Sequence, residues 1–438
     1  MLLNAADKAL WRLALPMIFS NITVPLLGLV DTAVIGHLDS PVYLGGVAVG
    51  ATATSFLFML LLFLRMSTTG LTAQAWGAKD PQRLARALVQ PLALALGAGV
   101  LIILLRLPLI DLALHIVGGS EAVLEQARRF LEIRWLSAPA SLANLVLLGW
   151  LLGVQYARAP VILLVVGNLL NIVLDLWLVM GLRMNVQGAA LATVTAEYAT
   201  LIIGLLMAKR VLTLRGVSLA MLKNAWRGDL RRLLALNRDI MLRSLLLQLC
   251  FGALTVFGAR LGSEIVAVNA VLMTMLAFTA YALDGFAYAV EAHSGQAYGA
   301  RDGSQLLEVW RAACRQSGMV ALAFALIYSL AGQYIIALLT SLPSLQQLAD
   351  RYLIWQTILP VVGVWCYLLD GMFIGATRGA EMRNSMAVAA AGFAVTLLTL
   401  PVLGNHGLWL ALAVFLALRG LSLALIWRRH WRRGTWFS

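Results

Sequence analysis

Charge is scarce in this sequence: charged side chains make up 12% of its 438 residues and hydrophobic ones 61%, at a mean hydropathy of +0.87. Soluble domains average about 25% charged and about 45–50% apolar residues, so a soluble enzyme or a nucleic-acid-binding domain is excluded. Cysteine is nearly missing too. Cys250, Cys314 and Cys366 sit in apolar runs without CxxC spacing, which reads as packing rather than metal or redox chemistry. The five histidines are scattered and form no HExxH or other ligand spacing, so no metal or other cofactor is expected. Residues 1–12 carry charges and no cleavable signal pattern, and the first helix is expected to stay in place.

What remains is hydrocarbon. At about 20 residues per span the chain accommodates about twelve helices and no soluble domain. Apolar runs lie at about 9–35, 43–70, 85–108, 128–153, 160–181 and 187–208, then at about 233–259, 265–291, 308–330, 351–375, 384–402 and 406–427. The net charge of +13 is unevenly placed. Lys79, Arg83 and Arg86, the 209–232 segment, Arg301, Arg311 and Arg315, and Arg428 to Arg433 alternate with loops poor in Lys and Arg, such as 37–44 and 402–407. That is the positive-inside pattern, with both termini and the central segment expected in the cytoplasm. The basic excess then serves topology and contact with anionic lipid, and no nucleic-acid partner is expected.

The chain repeats itself. Gln74-Ala-Trp-Gly-Ala-Lys-Asp80 returns as Gln296-Ala-Tyr-Gly-Ala-Arg-Asp302, a shift of 222. The same shift lays Arg129-Phe130-Leu131 on Arg351-Tyr352-Leu353, and Gly149 and Gly153 on Gly371 and Gly375. Six spans per half give both halves one orientation, a parallel repeat of the kind whose substrate path runs between the copies. The expected organisation is a six-helix lobe at 1–210, a cytoplasmic linker at 211–232, and a second six-helix lobe at 233–438 ending in a basic tail. The repeated QA-aromatic-GA segment reads as a helix end capped by Gly77 or Gly299, with a cytoplasmic hinge as the functional alternative.

Acids inside apolar runs need a reason, because each costs about 2.5–3.5 kcal/mol at mid-bilayer even on the lenient scale. Asp31 falls within the first run. Asp175 falls in the fifth, where Asn168, Asn171 and Asp175 are spaced three and four apart and share one helix face. Such a stripe faces a bundle interior or a water-filled cavity. Burial disfavours the charged form of a carboxyl among amides, which makes these acids candidate proton carriers, or Na⁺ ligands if several oxygens converge. Asn144, in the fourth run, joins the candidate polar network. Pro16 and Pro25 share the first helix with Asp31, so proton binding and helix bending can be coupled there. In the second half Asp370 is the best candidate for a cation contact, and the middle of the first helix holds only Gln248 as a large polar group.

Taken together, Pro16, the run Val30-Asp31-Thr32-Ala33-Val34-Ile35-Gly36, the Asn171-x-x-x-Asp175 pattern, Gly188-Ala-Ala-Leu-Ala-Thr193 and the QA-aromatic-GA repeats resemble the MATE (multidrug and toxic compound extrusion) transporters over essentially the whole chain. The resemblance implies an all-α, V-shaped pair of lobes exporting drugs by alternating access, driven by H⁺ or Na⁺. It implies Asp31 as the coupling residue, with Asn171, Asp175 and Thr193 completing the polar cluster. Some relatives carry a helix-seven acid where this chain has Gln248, which favours protons over a second-lobe Na⁺ site, although Asp370 matches their helix-ten acid.

The expected function is therefore H⁺-coupled export of amphipathic, often cationic compounds from the bacterial inner membrane by a monomer, with Na⁺ at Asp31, Asn171 and Asp175 as the alternative coupling. A lipid-linked oligosaccharide flippase is the first rival. Its anionic substrate calls for basic cavity walls, and Arg65, Arg134 and Arg243 are the interior-leaning candidates. A membrane enzyme lacks a nucleophile–base pair or phosphate loop, and no enzymatic activity is expected.

Overall fold

A computed structural model describes residues 3–36, 38, 40–228 and 230–438, and the side chains of these except 23–33. The first half runs α1 (Ala5–Gly36), α2 (Pro41–Leu60), α3 (Phe63–Gly77), α4 (Pro81–Leu104), α5 (Arg106–Val117), α6 (Glu121–Arg134), α7 (Ala138–Gly153), α8 (Arg158–Asp175) and α9 (Asn185–Leu214). After the short α10 (Leu219–Asn224) come α11 (Leu230–Leu261), α12 (Ser263–Ala300), α13 (Gly303–Leu339), α14 (Pro343–Gly375), α15 (Gly379–Thr396), α16 (Leu400–Leu403) and α17 (Asn405–Arg433). Among the described residues there is no strand, and eleven helical stretches are long and apolar enough to cross a membrane. About twelve were expected; α1, with part of its side chains outside the description, is the remaining long helix.

The internal repeat is physical. Shifted by 222, the stretch α2–α7 falls on α12–α14: Pro41 on Ser263, Pro81 on Gly303, Val117 on Leu339, Glu121 on Pro343 and Gly153 on Gly375. A Cβ on Gly149 would stand 2.5 Å from the Arg65 carbonyl oxygen, and one on Gly371 would stand 2.7 Å from that of Ala287. Gly153 meets Thr72 in the same way that Gly375 meets Ser294. All four contacts keep the 222 spacing, so both halves close the same helix pair through the same glycines.

The QA-aromatic-GA segment is indeed a helix end, but not one capped by glycine. Lys79 (φ 53) and Arg301 (φ 54) take the left-handed conformation instead of Gly77 and Gly299. Asp80 N–H donates to the Ala75 carbonyl at 3.2 Å and Lys79 N–H to that of Trp76 at 3.1 Å, a double closure repeated at Arg301 and Asp302. Asp80 and Asp302 then cap the next helix, each accepting from backbone N–H groups of its first turn.

The chain forms two compact units, Phe19–Leu234 and Met1–Ile18 with Ala235–Ser438. This division departs from the lobe expected at 1–210, because the start of α1 packs with the C-terminal half. Trp11 Nε1 donates to Gln316 Oε1 at 2.9 Å, and its ring meets Phe286 edge-on at 4.9 Å. Arg315 pairs with Asp7 at 3.0 Å, and the His293 ring lies 3.2 Å from the Ala9 carbonyl. Burial pushes the Asp7 carboxyl up, but the hydrogen bonds from Arg315 and Asn4 and the Arg315 charge outweigh it and hold Asp7 below the usual carboxylate range. Reciprocally, the first residues of α11 belong to the N-terminal unit, where Arg232 reaches Gln74 of α3 at 3.3 Å.

Candidate functional site

The expected polar stripe on α8 exists, and α9 completes it. Asn171 and Asp175 are 2% and 1% exposed, Asn168 is half-buried, and all three lie within a membrane-crossing stretch. Asn171 Nδ2 donates to Thr193 Oγ1 at 3.5 Å, and that hydroxyl donates to the Ala189 carbonyl one turn back at 3.2 Å. Asn171 Oδ1 has no hydrogen-bond partner among the described residues. Asp175 is the last α-helical residue, and Leu176–Gly181 continue as a π-helical turn. Insertions of this kind recur at functional sites. A close return makes the cluster: a Cβ on Gly188 would lie 3.1 Å from the Leu178 carbonyl, so α9 starts directly against the turn that follows Asp175. The arrangement offers an amide oxygen, a hydroxyl and a carboxyl away from bulk water, a set suited to a proton or a small hard cation. Asp31 and Pro25 belong to α1, but their side chains lie outside the description. Pro16 is described, and α1 continues as helix across it.

Asn144 belongs to a second cluster of the same unit. Its Nδ2 donates to Glu197 Oε2 at 3.3 Å and to the Glu197 carbonyl at 3.1 Å, while Arg134 stands 3.7 Å from Glu197 Oε1. Arg134 also bonds Ser137 and lies 5.5 Å from the Phe58 ring centroid. Glu197 was not singled out in the sequence, although it is an acid in an apolar run and the test applied to Asp31 would have found it. It follows Thr193 by four residues, so the two clusters are neighbours along one face of α9, about 6 Å apart in rise.

Asp370 falls in the other unit and is not an open cation contact. Arg243 Nη2 and Arg419 Nη2 donate to its Oδ2 at 2.6 and 2.5 Å, and all three side chains are buried. The expectation that Asp370 would meet an external cation is corrected: two guanidiniums of the chain fill that role. Arg419, an arginine in the last apolar run, was missed in the sequence. Of the arginines that a flippase would require, Arg243 is spent on Asp370, and Arg65 is buried in α3 beside Thr69 at 3.3 Å.

Against known families, the MatE model matches residues 16–177 and 240–403, one match in each half. The chain belongs to the MATE family. It is 87% identical over 436 residues to DNA damage-inducible protein F of Escherichia coli K12, covering 100% of this chain and 95% of that one. The probable multidrug resistance protein NorM of Acinetobacter baylyi is 23% identical over 431 residues, covering 96% and 94%. A solved outward-facing multidrug resistance MATE family transporter of the MOP superfamily superposes with a TM-score of 0.86 at 23% identity, covering 98% and 96%. The chain is thus a multi-pass membrane transporter with the MATE fold.

Proposed function

We propose that this MATE protein exports amphipathic, often cationic compounds across the bacterial inner membrane in exchange for protons, with both termini in the cytoplasm. The observation that carries the reading is Asp175, a carboxyl 1% exposed within a membrane-crossing stretch, beside an amide and a hydroxyl on α8 and α9. Asp31 and Asp175 take up the proton, and Asn171 and Thr193 hold the neutral and charged forms in one place. Loss of negative charge removes the reason for water to stay in the cavity, and α1 bends around Pro16 and Pro25, reducing the space open to substrate. Glu197 extends the same polar face along α9, and Asn144 of α7 donates to it. Apolar and methionine walls adapt to many substrate shapes. The charge of Asp370 is already compensated by two guanidiniums on its Oδ2, which supports protons over a second-lobe Na⁺ site. The burial of Arg65 and Arg243 in internal contacts speaks against an anionic lipid-linked sugar as substrate.

The test is efflux of a fluorescent organic cation from proteoliposomes under a pH gradient alone or a Na⁺ gradient alone. Export is expected with the first and not with the second. Export driven only by Na⁺ would move the coupling ion to Na⁺ at Asp31, Asn171 and Asp175.

A further inference from the structure

Within the 19–234 unit, one charged pair is built for exchange of its cation. Glu197 follows the start of α9 at Asn185 by twelve residues, about 18 Å along the helix and inside its membrane-crossing stretch. An acid at that depth is costly and asks for a function. Its surroundings are anchored. Asn144 Nδ2 donates to Glu197 Oε2 at 3.3 Å and to the Glu197 carbonyl at 3.1 Å, tying α7 to α9. The neighbouring Tyr198 hydroxyl donates to the Leu136 carbonyl at 2.8 Å, and Trp135 Nε1 donates to Thr54 of α2 at 3.0 Å. Phe58, four residues after Thr54 on the same face of α2, is held in place with them.

The cation opposite makes a looser contact. Arg134 Nη2 stands 3.7 Å from Glu197 Oε1, past the reach of a hydrogen bond, and its Cζ lies 5.5 Å from the Phe58 ring centroid. The Glu197 side chain keeps 28% of its surface exposed, against 12% for Arg134. A carboxylate on one side and an aromatic face on the other is how a flat organic cation is recognised. Here a side chain of the protein occupies that arrangement. Arginine rides on a rotamer-rich stem and can turn aside, whereas Asn144 holds the carboxylate where it is. We propose that Glu197 recognises the positive charge of the exported compound, and that Arg134 is its resident stand-in, displaced when a planar organic cation enters between Glu197 and Phe58. This rests on the export of cationic compounds proposed above, and adds how a cation is told from a neutral molecule of like size. An uncharged compound offers Glu197 nothing in return for the Arg134 contact, and that difference sets the preference. Between substrates, Arg134 keeps the carboxylate from standing bare in the bilayer.

Equilibrium binding of ethidium, a planar cation, and of Nile red, an uncharged dye of similar size, to the purified full-length protein tests the assignment without any gradient. R134Q removes the competitor and should bind ethidium about tenfold more tightly than the parent. R134K keeps a competing charge and should bind like the parent; R134M, of similar length, replaces R134Q should that variant fail to fold. Adding E197Q to R134Q should cancel the whole gain, while Nile red binds all of these proteins equally. R128Q, in an exposed pair with Asp111, should leave ethidium binding unchanged. Ethidium binding unmoved by R134Q and E197Q, a loss in E197Q that Nile red shares, or a gain in R134Q that survives E197Q would overturn the proposal. If proteoliposomes export ethidium under neither gradient while its binding keeps this dependence on Glu197, the coupled-export reading fails and the recognition site stands.

Discussion

In the first half the continuous stretches are broken: α2 from α3 at 61–62, α4 from α5 at 105, and α6 from α7 at 135–137. Their counterparts 222 residues on, α12, α13 and α14, run through without interruption. Polar chemistry divides along the same line. The broken half carries an amide, a hydroxyl and a buried carboxyl, with a π-helical turn directly after Asp175. The other half encloses Asp370 between two arginines and pairs Asn269 with Asn405 reciprocally at 2.8 and 2.9 Å. The two copies thus set these polar groups differently, beside a helix break in one and within an ion triad in the other. Interrupted helices are tolerated in membranes where freed backbone groups find protein or water partners, which is where transport sites form.

The sharpest way to break this comparison is to neutralise one acid in each half. D175N should reduce pH-gradient-driven export to the protein-free background, measured in proteoliposomes, while its thermal midpoint stays within a degree or two of the parent. D370N should do the reverse. It leaves two buried guanidiniums without a carboxylate, at a cost of about 3–5 kcal/mol, read as a large fall in the unfolding midpoint. Replacing Arg243, Asp370 and Arg419 together with apolar residues of similar volume should restore most of that loss; if export then continues, the triad is structural. If D370N abolishes export without destabilising, the division of labour proposed here fails.

Smaller effects sharpen the comparison. G149A and G371A each force a methyl group against a backbone carbonyl, at about 1–3 kcal/mol, and should cost the two halves alike in chemical denaturation. Unequal costs would mean that the repeated contact is no longer equivalent. The smallest effect is expected from D7N. Asp7 is held below the usual carboxylate range, so its contribution is complete above the unfolded value near about 3.9 and is lost as pH falls through the lower folded value. With Arg315 half-exposed, the pair contributes about 0.2–1 kcal/mol. The midpoints of D7N and the parent should differ slightly at neutral pH and converge in acid.

Much of this was legible before any coordinates. The 222 shift survives because a glycine facing a carbonyl leaves no room for a side chain, so Gly149, Gly153, Gly371 and Gly375 stay readable. The Asn171–Asp175 stripe was legible because helical spacing alone sets its face. Other features were not. The left-handed residues are Lys79 and Arg301 because the chain reverses two residues after the glycine, where composition gives no sign. The partners of Asp370 lie 127 and 49 residues away, and no local pattern pairs an acid with such distant arginines. The grouping of residues 1–18 with the second half depends on Trp11, Asp7 and His293 finding partners 305, 308 and 284 positions away.

Each half is closed by a piece of the other: the start of α1 completes the α12–α13 face, and the start of α11 completes that of α3–α4. A chain severed within the 211–232 linker would therefore not yield two self-sufficient proteins but two fragments that need each other to fold. If the ancestor was a single six-helix gene product, it already worked as a pair with traded ends, and gene fusion made that partnership permanent.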